Sequence, residues 1–246
     1  MNDFFNSQYK HNGALRLRYR MEEDECLTLV DMSQVSDLLS RKQQTLLSWL
    51  SDKEQRHLAR FRFPKRYNEW LSGRIAAKCC LLQAAKKQAT PLRPEECPIL
   101  PDSHGRPVLS GEQLSAPIQL SISHSHRYAV AMTANSGCGI DIQHIGARIL
   151  KVRDRIATAK ELALADNLQA GSREAGLTLL WVVKEAVKKH RLPEQAGIFE
   201  AIALERVTPG HTKNSWQAKC RLTETKQSQL VRIVQLDNYM MAWCRG

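Results

Sequence analysis

Gly139-Ile140-Asp141-Ile142-Gln143 and, farther along, Trp181-Val182-Val183-Lys184-Glu185-Ala186-Val187-Lys188 decide how this chain is read. In the first, side chains repeating every second residue put Asp141 and Gln143 on one side of an extended strand. In the second, at about 100° per residue, Trp181, Lys184, Glu185 and Lys188 fall within roughly a 100° arc of a helix. Val182, Val183, Ala186 and Val187 fill the opposite side, the natural core face. An acid, two lysines and an aromatic ring thus share one surface, downstream of an acid on a strand. Such a set suits a divalent cation and a phosphorylated ligand, because the cation takes hard carboxylate oxygens and the lysines take phosphate charge.

A second tryptophan helix lies upstream. Trp70–Lys78 can be laid over Trp181–Lys189, and each is followed by a hairpin-like stretch with a Tyr-x-x-Ala centre. These stretches run from Ile118 to Met132, with Tyr128-Ala129-Val130-Ala131, and from Leu230 to Trp243, with Tyr239-Met240-Met241-Ala242. The separation from tryptophan to tyrosine is 58 positions in both. This predicts two similar α/β halves. The polar run Thr133–Gly137 has turn character and sets the expected lobes at residues 1–134 and 135–246, the second carrying the metal motif.

Between these landmarks, alternation and β-propensity predict strands over Leu15–Tyr19 and Leu27–Val30. Ser33–Leu50 reads as an amphipathic helix. Ser51-Asp52-Lys53-Glu54 has capping-box spacing and opens a helix toward Arg60, and Pro64 precedes a long helix toward Gln88. Thr158-Ala159-Lys160-Glu161 repeats the capping box and opens a helix toward Leu168. The motif helix spans Glu174–Lys189. Thr90–Gly111, rich in proline and charge, reads as irregular.

Composition bounds the partners. The 246 residues hold 36 Lys+Arg against 25 Asp+Glu, a net charge of +11. Such a surface favours polyanions: nucleic acid, anionic lipid, an acidic protein or a phosphate-rich cofactor. No helix-turn-helix, zinc-finger or ribonucleoprotein signature accompanies it, so nucleic acid is not expected. Seven scattered cysteines without a Cys-x-x-Cys pair read as reduced thiols. Met1–Phe5 lacks signal-peptide character, and no apolar run approaches the roughly 20 residues that span a bilayer. The expectation is a soluble, cytoplasmic protein with no membrane partner.

These segments, in this order, resemble the 4′-phosphopantetheinyl transferases, whose pattern is a Gly-x-Asp-x-Glu strand followed by Trp-x-x-Lys-Glu-x-x-x-Lys on a helix. The likeness is to the longer, pseudo-dimeric Sfp type. It implies an α+β fold of two lobes related by a pseudo-twofold, each a small sheet on a long helix, with coenzyme A in the cleft and a monomeric state. It implies magnesium-dependent transfer of 4′-phosphopantetheine to a serine of an acidic acyl or peptidyl carrier protein of fatty-acid, polyketide or nonribosomal-peptide synthesis. A non-catalytic coenzyme A or carrier-protein binder on the same scaffold is the alternative.

On that resemblance Asp141, Glu185 and Gln143 are the metal ligands, and Glu185, Lys188 and Asp141 the catalytic set. Gln143 departs from the family's glutamate: it keeps a carbonyl donor and removes one negative charge. Ser123-His124-Ser125 and Gly105-Arg106-Pro107 match a Ser-His-Ser phosphate contact and a Gly-Lys-Pro turn. The basic run Arg62, Lys65, Arg66 and Arg74 corresponds to residues that meet the 3′-phosphate. Lys65, Arg66, Arg74, Arg106, Ser123, His124, Lys184 and Lys188 are accordingly the expected coenzyme A contacts. Without the resemblance, the acids and lysines read as ordinary solvated groups. His124 and His126 alternate as a zinc pair would, with no third ligand apparent.

Overall fold

The computed structural model describes residues 4–11, 15–41, 44–110, 118–168, 170–194 and 200–246. The chain divides into two compact units, Met1–Gly137 and Cys138–Gly246.

In the first unit, β1 (Ser7–His11), β2 (Leu15–Glu22) and β3 (Glu25–Asp31) lead into α1 (Met32–Ser40), a 3-10 turn at Gln44–Trp49, α2 (Asp52–Leu58) and α3 (Pro64–Lys87). A ribbon of β4 (Ile99–Pro101) and β5 (Pro107–Leu109) precedes β6 (Gln119–Ser125) and β7 (Tyr128–Ala134). The antiparallel sheet has the order β1-β2-β3-β7-β6. Proline at its first position starts α3, where the missing N–H costs nothing. Leu71, Ile75 and Cys79 of that helix pack on Leu17, Val30 and Ala131 of the sheet.

Three expectations change here. The single helix expected over Ser33–Leu50 ends at Ser40, because the Arg41 N–H and the Ser40 hydroxyl both donate to the Asp37 carbonyl and close the helix. The apolar residues beyond it, Leu46, Trp49 and Leu50, are buried from the 3-10 turn instead. Within Thr90–Gly111 the chain is ordered by the β4–β5 ribbon, whose turn forms when Asp102 accepts from the His104 and Arg106 N–H groups and Gly105 takes φ +80°. Gly111 itself lies outside the described residues. Thr133 and Ala134 belong to β7, paired with Cys26 and Glu25, so only Asn135–Gly137 forms the turn.

The second unit repeats the plan. β8 (Cys138–His144) is followed by a 3-10 turn at Ala147–Val152, α4 (Arg153–Ile156), α5 (Ala159–Asn167) and α6 (Arg173–Arg191). Then β9 (Ile202–Pro209), β10 (Ser215–Leu222), β11 (Ser228–Leu236) and β12 (Tyr239–Arg245) complete an antiparallel sheet ordered β8-β12-β11-β10-β9. Val182, Val183, Ala186 and Val187 are fully buried, as their spacing predicts. Each buried valine is worth about 1.5–3 kcal/mol, so together they fix which face of α6 turns outward. The two tyrosines of the sequence repeat hold equivalent places. Tyr128 opens β7 opposite Asp31, and Tyr239 opens β12 opposite His144. By the same register, Thr28 faces Ala131 where Asp141 faces Ala242.

Both capping boxes form, and each glutamate does a second job that spacing alone does not reveal. Glu161 accepts from the Thr158 N–H at 2.8 Å and from the Leu204 N–H at 2.8 Å, and pairs with Lys184 at 2.8 Å. Glu54 likewise accepts from Ser51 and Ile99 and pairs with Lys78 at 2.9 Å. Burial opposes the charge on Glu161, but the Leu204 N–H, the Lys184 ammonium and the Thr158 N–H outweigh it and hold the carboxyl below its ordinary range. One glutamate thus joins a helix start, the long helix and a strand in each unit. All seven cysteines are buried and free, and no helix among the described residues is long and apolar enough to cross a membrane.

Removing one partner of such a pair leaves an uncompensated buried charge. Lys184→Met should therefore lower unfolding free energy by about 3–5 kcal/mol in urea titrations. Lys160→Met, at an exposed position on α5, should stay within about 0.5 kcal/mol of wild type.

Candidate active site

The strand β8 and the helix α6 meet at Gly139. A Cβ there would lie 2.0 Å from the Ala186 carbonyl oxygen, so only glycine lets the helix backbone rest on the strand. Two residues on, on the same side of the strand, Asp141 is 6 % exposed and reaches the helix. Its Oδ1 accepts from Lys189 Nζ at 2.7 Å, and the same ammonium donates to the Ile140 carbonyl at 2.9 Å. Glu185 stands one helical turn earlier. Burial raises its carboxyl pKa and the negative charge of Asp141 raises it further, while Lys189 and Lys188 pull it partly back. Gln143, next along the Asp141 side of β8, is half-buried.

Two like charges that feel one another in partly buried surroundings are costly, and a divalent cation removes that cost. Asp141, Glu185 and the Gln143 amide oxygen are all hard oxygen donors of the kind magnesium takes, alongside water and phosphate. Two carboxylates and one amide make a sparse set: among the described residues, His, Cys, Asp and Glu nowhere gather in a group of three or more that could hold a metal. Among the described residues no third His, Cys, Asp or Glu joins His124 and His126 in a group that could hold a metal.

The lysines divide differently from the sequence reading. Lys184 is not on the ligand face. Its side chain is fully buried against Glu161, at the edge of the arc where α6 turns into the core. Lys188 is half-buried and acts on Glu185 through its charge. Lys189, which the sequence reading omitted, is the lysine that touches Asp141. Its signal was present: counted from Trp181, Trp-x-x-Lys-Glu-x-x-x-Lys ends at 189, four residues after Glu185.

Of the expected phosphate contacts, Arg66, Arg74 and His124 line a cavity of about 310 Å³ in the first unit, together with His57, Glu69 and Trp70, among others. Arg74 is 7 % exposed, its guanidinium 4.3 Å from the centre of the Trp70 ring and its Nε donating to the Ile99 carbonyl at 3.2 Å. Among the described residues it has no carboxylate within ion-pair distance. Burial pushes its pKa down to about 10, with the charge of Glu54 partly opposing. A buried cation without a counter-ion is a ready anion site. Glu69 draws Arg66 to 3.5 Å, His124 to 3.8 Å and the exposed Lys65 to 3.8 Å.

Lys65 and Ser123 do not line the cavity, and neither does Arg106, whose Nε is bound to Asp102 Oδ2 at 2.6 Å. Its neighbour Gly105 does line it. Exposed Arg62 borders a separate groove beside Phe61 and Tyr67. At the turn after each tryptophan the two units carry opposite charges, Arg74 in one and Glu185 in the other.

A strand acid and a helix acid flanked by lysines make up a centre whose donor chemistry suits a divalent cation and phosphate. The sequence profile described as 4′-phosphopantetheinyl transferase superfamily matches residues 137–244, which carry that centre. A holo-[acyl-carrier-protein] synthase of Halalkalibacterium halodurans is 31% identical over 109 residues, 43% of this chain and 87% of that protein. One from Geobacillus kaustophilus is 30% identical over 106 residues, 43% of this chain and 81% of its own length. The chain belongs to the 4′-phosphopantetheinyl transferase superfamily and is an enzyme of that family.

The raised Glu185 carboxyl has a separable cause. In metal-free protein, Asp141→Asn should lower the Glu185 pKa, read by carbon-13 NMR of the carboxyl, because one of the two raising influences is gone. An unchanged Glu185 titration would mean that burial alone sets it.

Proposed function

We propose that this enzyme transfers 4′-phosphopantetheine from coenzyme A to a serine hydroxyl of an apo carrier protein, releasing adenosine 3′,5′-bisphosphate. The observation that carries this reading is the Asp141–Glu185 carboxylate pair with Lys189 beside it, within the residues that match the family. Relatives named holo-[acyl-carrier-protein] synthase support a carrier protein as acceptor. The charge of +11 suits an acidic one, since complementary charge speeds encounter.

Glu185 is the proton acceptor. Its carboxylate shares the outward face of α6 with Lys188 and lies within the residues that match the family, which supports it as the group that takes the serine proton. The serine oxygen attacks the β-phosphorus of coenzyme A, and the bond from that phosphorus to the bridging oxygen breaks. The electron pair leaves with the bisphosphate, whose growing charge falls to Lys188 and Lys189. Asp141 and Glu185 with the Gln143 amide would hold magnesium, which would supply neutralisation of phosphate charge. Arg74, Arg66 and His124 line a cavity of the first unit that suits an anionic group. The chain's own work is positioning and electrostatics rather than covalent chemistry.

Intact-mass spectrometry of apo carrier proteins incubated with the enzyme, coenzyme A and magnesium should show one added phosphopantetheine. Asp141→Ala and Glu185→Ala should each cut the rate by about 10²-fold or more. If no carrier gains mass while coenzyme A binds, the transfer reading fails. Gln143→Glu restores a third carboxylate and should tighten magnesium binding about tenfold by calorimetry, in line with the dependence of such sites on ligand charge. An unchanged magnesium affinity would remove Gln143 from the metal's surroundings.

A further inference from the structure

We propose that the β1–β2 hairpin of the first unit is a docking surface for the acceptor protein, an acidic helix of which lays its carboxylates on Arg16 and Arg18. This rests on the reading that the acceptor is an acidic carrier protein, and adds the surface by which this chain holds it.

The hairpin is an addition to the repeated plan. Strands β3, β7 and β6 of the first unit correspond to β8, β12 and β11 of the second, in that order across each sheet. The first sheet then continues past β3 through β2 to β1, whereas β8 is the end of the second sheet. Among the described residues, none that lines the cavity around Arg74 comes from this hairpin. Asp141, Gln143 and Glu185 belong to the second unit. The hairpin therefore stands apart from the groups proposed to handle coenzyme A.

Leu15-Arg16-Leu17-Arg18-Tyr19-Arg20 alternates along β2. Leu15 and Leu17 are fully buried in the first-unit core, so Arg16, Arg18 and Arg20 stand on the other face. Arg16 is exposed, and Arg18 and Arg20 are half-buried. Glu22, the acid on this face of β2, pairs with Arg20, whose guanidinium also lies 4.7 Å from the centre of the Phe4 ring. Asp31, at the end of β3, is held by Arg127 at 2.6 Å and accepts from the Ser33 N–H. Among the described residues, neither Arg16 nor Arg18 has a carboxylate within ion-pair distance. The register puts Lys10 opposite Arg16, and Gln8 and Leu29 opposite Arg18, so no acid comes from the neighbouring strands.

Two adjacent cations with charge to spare select an anion that repeats at their own spacing. Same-face neighbours on a strand are about 6.7 Å apart. Carboxylates four residues apart on a helix are separated by about 6 Å along its axis, and the long arginine side chains absorb the difference. Each guanidinium can take a carboxylate through two parallel hydrogen bonds. The net charge of +11 draws in an acidic partner, and this row gives it a register. A single-stranded nucleic acid also repeats its charge, but it binds by stacking bases on aromatic rings. Lys10, Gln8 and Leu29 offer none.

The test is steady-state transfer by the full chain, with coenzyme A, magnesium and an apo carrier protein. Arg16→Glu/Arg18→Glu should raise the carrier KM about tenfold, with kcat and the coenzyme A KM held within about twofold. Those two unchanged constants also report that the variant is folded. Lys160→Glu/Lys213→Glu makes the same change in net charge at exposed positions of the second unit and should move the carrier KM less than about twofold. Should the double reversal fail to fold, Arg16→Gln/Arg18→Gln carries the test, with an expected rise of about threefold. A carrier in which two helix acids four residues apart are changed to lysine should recover part of the loss with Arg16→Glu/Arg18→Glu. A carrier KM unmoved by the hairpin variants, or moved equally by Lys160→Glu/Lys213→Glu, overturns the proposal and leaves the transfer reading standing. Weaker binding of a single-stranded DNA oligonucleotide by the hairpin variant, with the carrier KM unmoved, overturns it in favour of nucleic acid. If wild type modifies no carrier, the reading of the acceptor falls, and the proposal with it.

Discussion

The contact of α6 with β8 at Gly139 is the constraint on which the second unit depends. A helix backbone can rest on a strand only where no side chain intervenes, and a Cβ at Gly139 would stand 2.0 Å from the Ala186 carbonyl oxygen, so there is room for hydrogen alone. That single bare position sets the distance between the two elements. Asp141, two residues along the same side of the strand, then reaches the helix, and Lys189 reaches back to it. The valine face of α6 fixes the helix's rotation and Gly139 its depth, so Glu185 and Asp141 are brought together by packing that neither residue contributes to.

Glu161 and Glu54 show a different economy. Each caps a short helix, as its spacing from Thr158 or Ser51 indicates, but each also binds a fully buried lysine and the N–H of a strand. Low local polarity makes such a node strong when complete and damaging when broken. The lysine beside Glu185 is thus spent on architecture. The lysine five positions later is the one the helix carries back to the strand, where it meets Asp141.

Elements set by local chemistry were legible in the sequence. The α3 start at Pro64, both capping boxes, the two tyrosine hairpins and the core face of α6 follow from spacing and turn residues. What was not legible depended on contacts remote in sequence. Nothing local distinguishes Lys184 in the core from Lys189 at the strand, because both lie near the edge of the same helical arc. The turn at Asp102 was hidden among prolines that suggested disorder of form. At the site, Asp141 and Glu185 could be named from their pattern. The cavity where His57 stacks on Trp70 could not, since aromatic residues from different helices carry no shared spacing.

The inverted charge one turn after each tryptophan has a consequence for stoichiometry. A chain built twice on the same plan would be expected to hold two copies of whatever one copy holds. Here the first unit has Thr28 and Arg74 where the second has Asp141 and Glu185. The described residues therefore offer one acidic pole and one basic pole, not two of either. Changing Arg74 to an acid would abolish the basic pole without creating a second carboxylate pair, because Thr28 offers no carboxylate to complete it.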